Sequence, residues 1–80
     1  MSKKDNEYLI QQELKYEEIL NLLLSDWILA IDLFEKWKIK IRKRFSNNIN
    51  DVVENFIEEK EFIFYDNLNN QPEYYNYKNA

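Results

Sequence analysis

Three kinds of side chain in this 80-residue chain stand at spacings that do chemistry: carboxylates, bases and aromatic rings. Glu13 and Glu17 are four residues apart, as are Glu54 and Glu58, so on a helix each pair shares a face. Paired carboxylates serve general acid–base catalysis, and in the company of histidine they hold bridged metals. The chain has no His and no Cys, which excludes a thiol nucleophile, a disulfide, a Cys/His zinc site and a Ser-His-Asp triad. It also has no Gly, so no glycine loop cradles a phosphate. A carboxylate pair acting alone would need a walled cleft, which a chain of this size hardly builds. These acids therefore read as solvated helix faces, and the chain as non-enzymatic, without metal or cofactor.

The charge distribution offers more. There are 15 acids and 11 bases, a formal charge of −4. Six of the bases, Lys36, Lys38, Lys40, Arg42, Lys43 and Arg44, lie in one run that contains no acid. As a surface, that run would take an anion such as nucleic-acid phosphate. As the end of a helix, it complements the macrodipole and finds acids within the chain. The acids gather on either side of it. Asp51, Glu54, Glu58, Glu59 and Glu61 form one group and Glu13, Glu17 and Glu18 another. A spaced carboxylate array imitates the phosphates of a nucleic acid and fits a basic groove; a modest net charge also serves solubility alone. Among the aromatics, Trp27, Phe34 and Trp37 read as core. Tyr65, Tyr74, Tyr75 and Tyr77 sit among polar residues, where tyrosine is favoured at contacts with other proteins.

The elements that must position these groups follow from periodicity. Leu9, Tyr16, Leu20 and Leu23 make one apolar face of a helix over about 6–24, with Ser2 or Asn6 able to cap its start. Trp27, Ile31, Phe34, Ile41 and Phe45, flanked by Ala30 and Trp37, make another over 26–45. Residues 36–45 also alternate as a strand would. The absence of any turn residue between Trp27 and Phe45 decides for a continuous helix. A third helix is expected over about 48–60, capped by Asn48 and packed through Val52, Val53, Phe56 and Ile57.

Beyond Lys60 the run Glu61–Asp66 is aromatic and β-branched, so it reads as a strand paired with 74–78 across a loop at Asn67–Glu73. The expected fold class is α+β, mainly α, in one small domain: three helices and a C-terminal β-hairpin. The alternative is an all-α three-helix bundle, the third helix running to Leu68, with a tyrosine-rich tail.

The N-terminal Lys3 and Lys4 are followed by no apolar run, so no secretory signal is expected. The most apolar window, Ile19–Phe34, is broken by Asn21, Asp26 and Asp32, and a bilayer span needs about 20 mainly apolar residues. A cytoplasmic protein away from membranes is expected. Leu22 to Leu33 carry apolar residues on several sides of their helices, which points to a two-fold homodimer through that region.

The order of elements resembles a winged helix-turn-helix domain. Ala30 through Ile39 is similar to that family's Ala-x-x-Leu…Ile pattern, 52–60 would be the recognition helix, and 62–77 the wing. The resemblance implies DNA binding, here through Lys36, Lys38, Lys40, Arg42, Lys43 and Arg44. The would-be recognition helix departs from the family: it exposes Asp51, Glu54 and Glu58 and carries no base before Lys60. In size, charge and missing chemistry the chain is also similar to the small acidic inhibitors that phages make, anti-CRISPR proteins among them. The leading expectation is a protein-binding inhibitor or regulator. It would contact a larger protein, such as one that binds nucleic acid, through Glu54, Glu58, Glu59, Glu61, Tyr65, Tyr74 and Tyr75. The alternative is the DNA-binding regulator.

Overall fold

The chain has no glycine, and a polar side chain starts each α-helix. The computed structural model describes residues 2–80 and shows this arrangement. Ser2 Oγ accepts the Asp5 N–H and opens α1 (Lys3–Asn21). Leu22–Leu24 tighten into a 3-10 turn. Asp26 Oδ1 then accepts the Leu29 N–H and opens α2 (Trp27–Arg44), whose last turn carries Arg42, Lys43 and Arg44 against the negative end of its dipole. Asn50 Oδ1 caps α3 (Asp51–Asn69) through the Val53 N–H. Gln71 Oε1 caps α4 (Pro72–Lys78) through the Tyr74 N–H, with Pro72 in the first turn, where its missing N–H costs nothing. No described residue has a positive φ.

The three long helices form an up-down-up bundle, and with α4 the molecule measures 45 × 19 × 16 Å. α2 runs against α1, bringing Phe45 beside Tyr8 and Arg44 to Asp5. α3 runs back along both, with Lys60 reaching Glu13 on α1 and Arg42 reaching Glu54 on α3. The centre is aromatic. Phe34 and Phe64 stack with ring centroids 4.1 Å apart, and Tyr16 and Trp37 close around Phe34. Each buried ring removes enough apolar surface to contribute about 2–3 kcal/mol. Two of them also satisfy their polar ends: Trp37 Nε1 donates to the Gln12 carbonyl, and the Tyr16 hydroxyl donates to the Lys60 carbonyl. α4 lays Tyr74 and Tyr77 on Trp27.

The structure corrects the C-terminal third. Residues 61–66 are not a strand and 74–78 are not its partner: the described residues contain no strand, and the fold is all-α, as in the alternative reading. Local β propensity favoured Glu61–Asp66, but packing decides. Val53, Ile57, Lys60, Phe64 and Leu68 recur at helical spacing and form one buried stripe from the start of α3 to its end. A strand would have put Phe62 and Phe64 on the same side; instead Phe64 is fully buried and Phe62 is 76% exposed. The expected loop at 67–73 shrinks to Asn70 and Gln71, and the expected tail folds as α4. The third helix starts at Asn50 rather than Asn48. No helix among the described residues is long and apolar enough to cross a membrane.

Candidate functional site

The basic run is largely spent inside the molecule. Because α2 is a helix, its bases fan out rather than facing one way. Lys36 pairs with Asp32 at 2.9 Å, and Arg44 sits over the Tyr8 ring and 3.8 Å from Asp5. Arg42 lies between Glu54 and Glu61 of α3. Lys38 is buried and meets two carboxylates, Glu35 and Glu61, each at 3.1 Å. Burial alone would lower the Lys38 ammonium's pKa, but its hydrogen bonds to Glu35 and Glu61 outweigh that and raise it. Glu35 shows the converse. Burial pushes it up, but hydrogen bonds from Tyr65 and Lys38 hold it below the usual carboxylate value. Only Lys40 and Lys43 of the six have no acid within 4 Å among the described residues.

These pairings sort the acids expected to meet a partner. Glu54 and Glu61 lie on the flank of α3 that faces α2, and Arg42 and Lys38 neutralise them. Glu59 pairs with Lys60 on the flank that faces α1. Glu58 is exposed with no base within 4 Å among the described residues, and so is Asp66, two turns further on. Tyr65 is half-buried and donates its hydroxyl to Glu35; burial, and then that hydrogen bond, raise its pKa. Tyr74 and Tyr75 are elsewhere: both belong to α4, where Tyr74 packs on Trp27 and Tyr75 is exposed.

The structure therefore brings Glu58, Glu61 and Tyr65 together and adds three residues that the sequence reading missed: Phe62, Asp66 and Asn69. The six form one continuous strip along the outer face of α3. Phe62 stands at its centre, four residues from Glu58 on one side and from Asp66 on the other. At 1.5 Å per residue, the two unpaired carboxylates are spaced about 12 Å along the helix. The signal was present as an i, i+4, i+8 pattern, but reading 61–66 as a strand split it across two elements. An exposed ring between free carboxylates holds a guanidinium or ammonium by its charge while stacking its aliphatic stem.

A second exposed patch lies where α1 hands over to α2. Within the expected contact of Leu22 to Leu33, Leu23 and Ala30 are buried in the bundle's own core, whereas Leu24 is 83% exposed and Ile28 and Leu29 are also open to solvent. No family model matches this chain, and comparison with curated proteins and with solved structures finds no match.

Proposed function

We propose that this protein is a non-catalytic binding module that docks the outer face of α3 onto a basic surface of a larger protein and thereby blocks or regulates that surface. The observation that carries the reading is the setting of Phe62, a large ring left 76% exposed between two carboxylates without internal partners. Phenylalanine is enriched where proteins meet, and the unpaired charges select for a partner of opposite sign. The internal pairing of Lys36, Lys38, Arg42 and Arg44 supports a protein partner over nucleic acid as the target. The exposed Leu24, Ile28 and Leu29 support a homodimer through the α1–α2 junction, which would leave the α3 face free.

Affinity capture from a host lysate tests the main reading when run with two variants. A Glu58→Lys/Phe62→Ala/Asp66→Lys chain should lose the captured protein, and a Lys40→Glu/Lys43→Glu chain should keep it. Retention by the first variant, or loss by the second, contradicts the assignment.

A further inference from the structure

The outer face of α2 carries a short row of its own. Ile39 is 62% exposed there. Lys36 stands three residues before it and Lys43 four residues after it, so the three share one face, a turn apart. Lys43 is exposed and has no acid within 4 Å among the described residues. Lys36 is held by Asp32, one turn away on the same helix, and both side chains are more than half exposed. An exposed pair of that kind holds its lysine weakly.

This row matches Glu58–Phe62–Asp66 on α3 with the signs exchanged. At 1.5 Å per residue, Lys36 and Lys43 are about 10 Å apart along α2, and Glu58 and Asp66 about 12 Å apart along α3. Each pair brackets one exposed apolar side chain, Ile39 on α2 and Phe62 on α3. Laid against each other in either direction, the ring meets Ile39 and each ammonium meets a carboxylate. Asp32 then falls opposite Asn55 or Asn69, according to direction, and never opposite an acid. Both rows face away from the bundle core, so they meet only between copies. The net charge of −4 opposes that meeting, but it is screened beyond about 8 Å at physiological salt, whereas the facing pairs are in contact.

We propose that Lys36, Ile39 and Lys43 of one copy dock Glu58, Phe62 and Asp66 of a second copy, so that copies join head to tail and mask the α3 face from its larger partner. The inference rests on the reading of α3 as a contact face and supplies its regulation. Each copy uses a different surface for each neighbour, so a free row remains at both ends of the assembly. One helix face against another is a small contact, and a dissociation constant of about 0.1–1 mM is expected. The α3 face is therefore open at micromolar concentration and covered where the chain accumulates.

Amide NMR with two alanine variants, each keeping one row, tests this. Lys36→Ala/Ile39→Ala/Lys43→Ala keeps the α3 row, and Glu58→Ala/Phe62→Ala/Asp66→Ala keeps the α2 row; alanine at exposed helix positions preserves the helices. Raising the parent from about 0.05 to about 1 mM should shift signals at both rows, less so at high salt. Neither variant should show this alone. The labelled first variant should shift at Glu58, Phe62 and Asp66 when the unlabelled second is added at about 1 mM, and the reverse labelling should shift Lys36, Ile39 and Lys43. A chain combining Lys36→Glu/Lys43→Glu with Glu58→Lys/Asp66→Lys should associate as the parent does, whereas either half alone should not. A silent mixture, association of either alanine variant alone through its remaining row, a monomeric charge-swapped chain, or shifts confined to Leu24, Ile28 and Leu29 would each overturn the proposal. A peptide alternating arginine and leucine, added to the first variant, separates the two readings. If it binds the α3 row while the mixture stays silent, the second copy is removed and the α3 face stands; if both are silent, both fall.

Discussion

Replacing Lys38 by methionine isolates the ion triad that joins α2 to α3. The Lys38 side chain is 7% exposed, and its ammonium is shared between Glu61, 31% exposed, and Glu35, 47% exposed. Removing one partner of a fully buried pair costs about 3–5 kcal/mol, chiefly because the other charge is stranded. Here the carboxylates are partly wet, and Arg42 remains near Glu61, so stranding is incomplete. Methionine also keeps the stem over Phe34, where the ammonium now sits 4.9 Å from the ring centre. We expect a loss of about 2 kcal/mol, which for a domain of this size lowers the unfolding midpoint by about 10 °C.

The pH dependence gives the sharper check. The pKa of Glu35 is lowered from 4.5 in the folded state, so its share of the stability is present above 4.5 and lost as pH falls through the lowered value. The pKa of Lys38 is raised from 10.5, so its share is present below 10.5 and lost as pH rises through the raised value. The gap between parent and Lys38→Met, measured by thermal unfolding followed by circular dichroism, should be widest between those limits and narrow at both ends. A variant as stable as the parent at neutral pH, or a gap that is constant into acid, would refute the reasoning.

Phe64→Ala should cost about 3–4 kcal/mol in chemical denaturation, while Phe62→Ala should cost under about 0.5 kcal/mol; similar costs would mean the two rings share a side, as in a strand. Ultraviolet titration should find Tyr8 and Tyr65 raised above the usual tyrosine value and Tyr16 titrating late, its phenol pushed up to about 12 by burial and then by the nearby Glu59 carboxylate. Its contribution to stability should be present below 10.0 and lost as pH rises from there towards about 12. Light scattering at micromolar concentration should give about twice the 9.9 kDa chain mass for the parent and the single-chain mass for Leu24→Glu/Ile28→Glu; a parent of single-chain mass would remove the dimer.

The bundle's first two helices were legible because their apolar residues keep one period and no turn residue interrupts α2. Their detailed registers were less so. Gln12 and Lys38 hold core positions that a hydrophobic pattern passes over, since an amide and an ammonium are buried there only through their long stems and their neighbours. Lys60 misled in the same way. As a charged residue it looked like the end of an apolar stripe, yet it is buried in the middle of α3, its ammonium reaching Glu13 at the surface. Together with the aromatic, β-branched composition of Glu61–Asp66, that misreading placed Phe62 and Phe64 in a strand and hid the Glu58–Phe62–Asp66 series. The fate of the basic run was legible only where its partners are local, Asp32 for Lys36 and Glu35 for Lys38; Asp5, Glu54 and Glu61 come from other helices.

The central claim is that the outer face of α3 takes a basic partner. The most direct measurement is amide NMR of the labelled chain titrated with a short peptide alternating arginine and leucine, at low and at high salt. Shifts should concentrate at Glu58, Glu61, Phe62, Tyr65, Asp66 and Asn69 and weaken as salt rises. Binding should be lost in Glu58→Lys/Asp66→Lys. An absence of shifts on α3, or shifts confined to Leu24, Ile28 and Leu29, would contradict it.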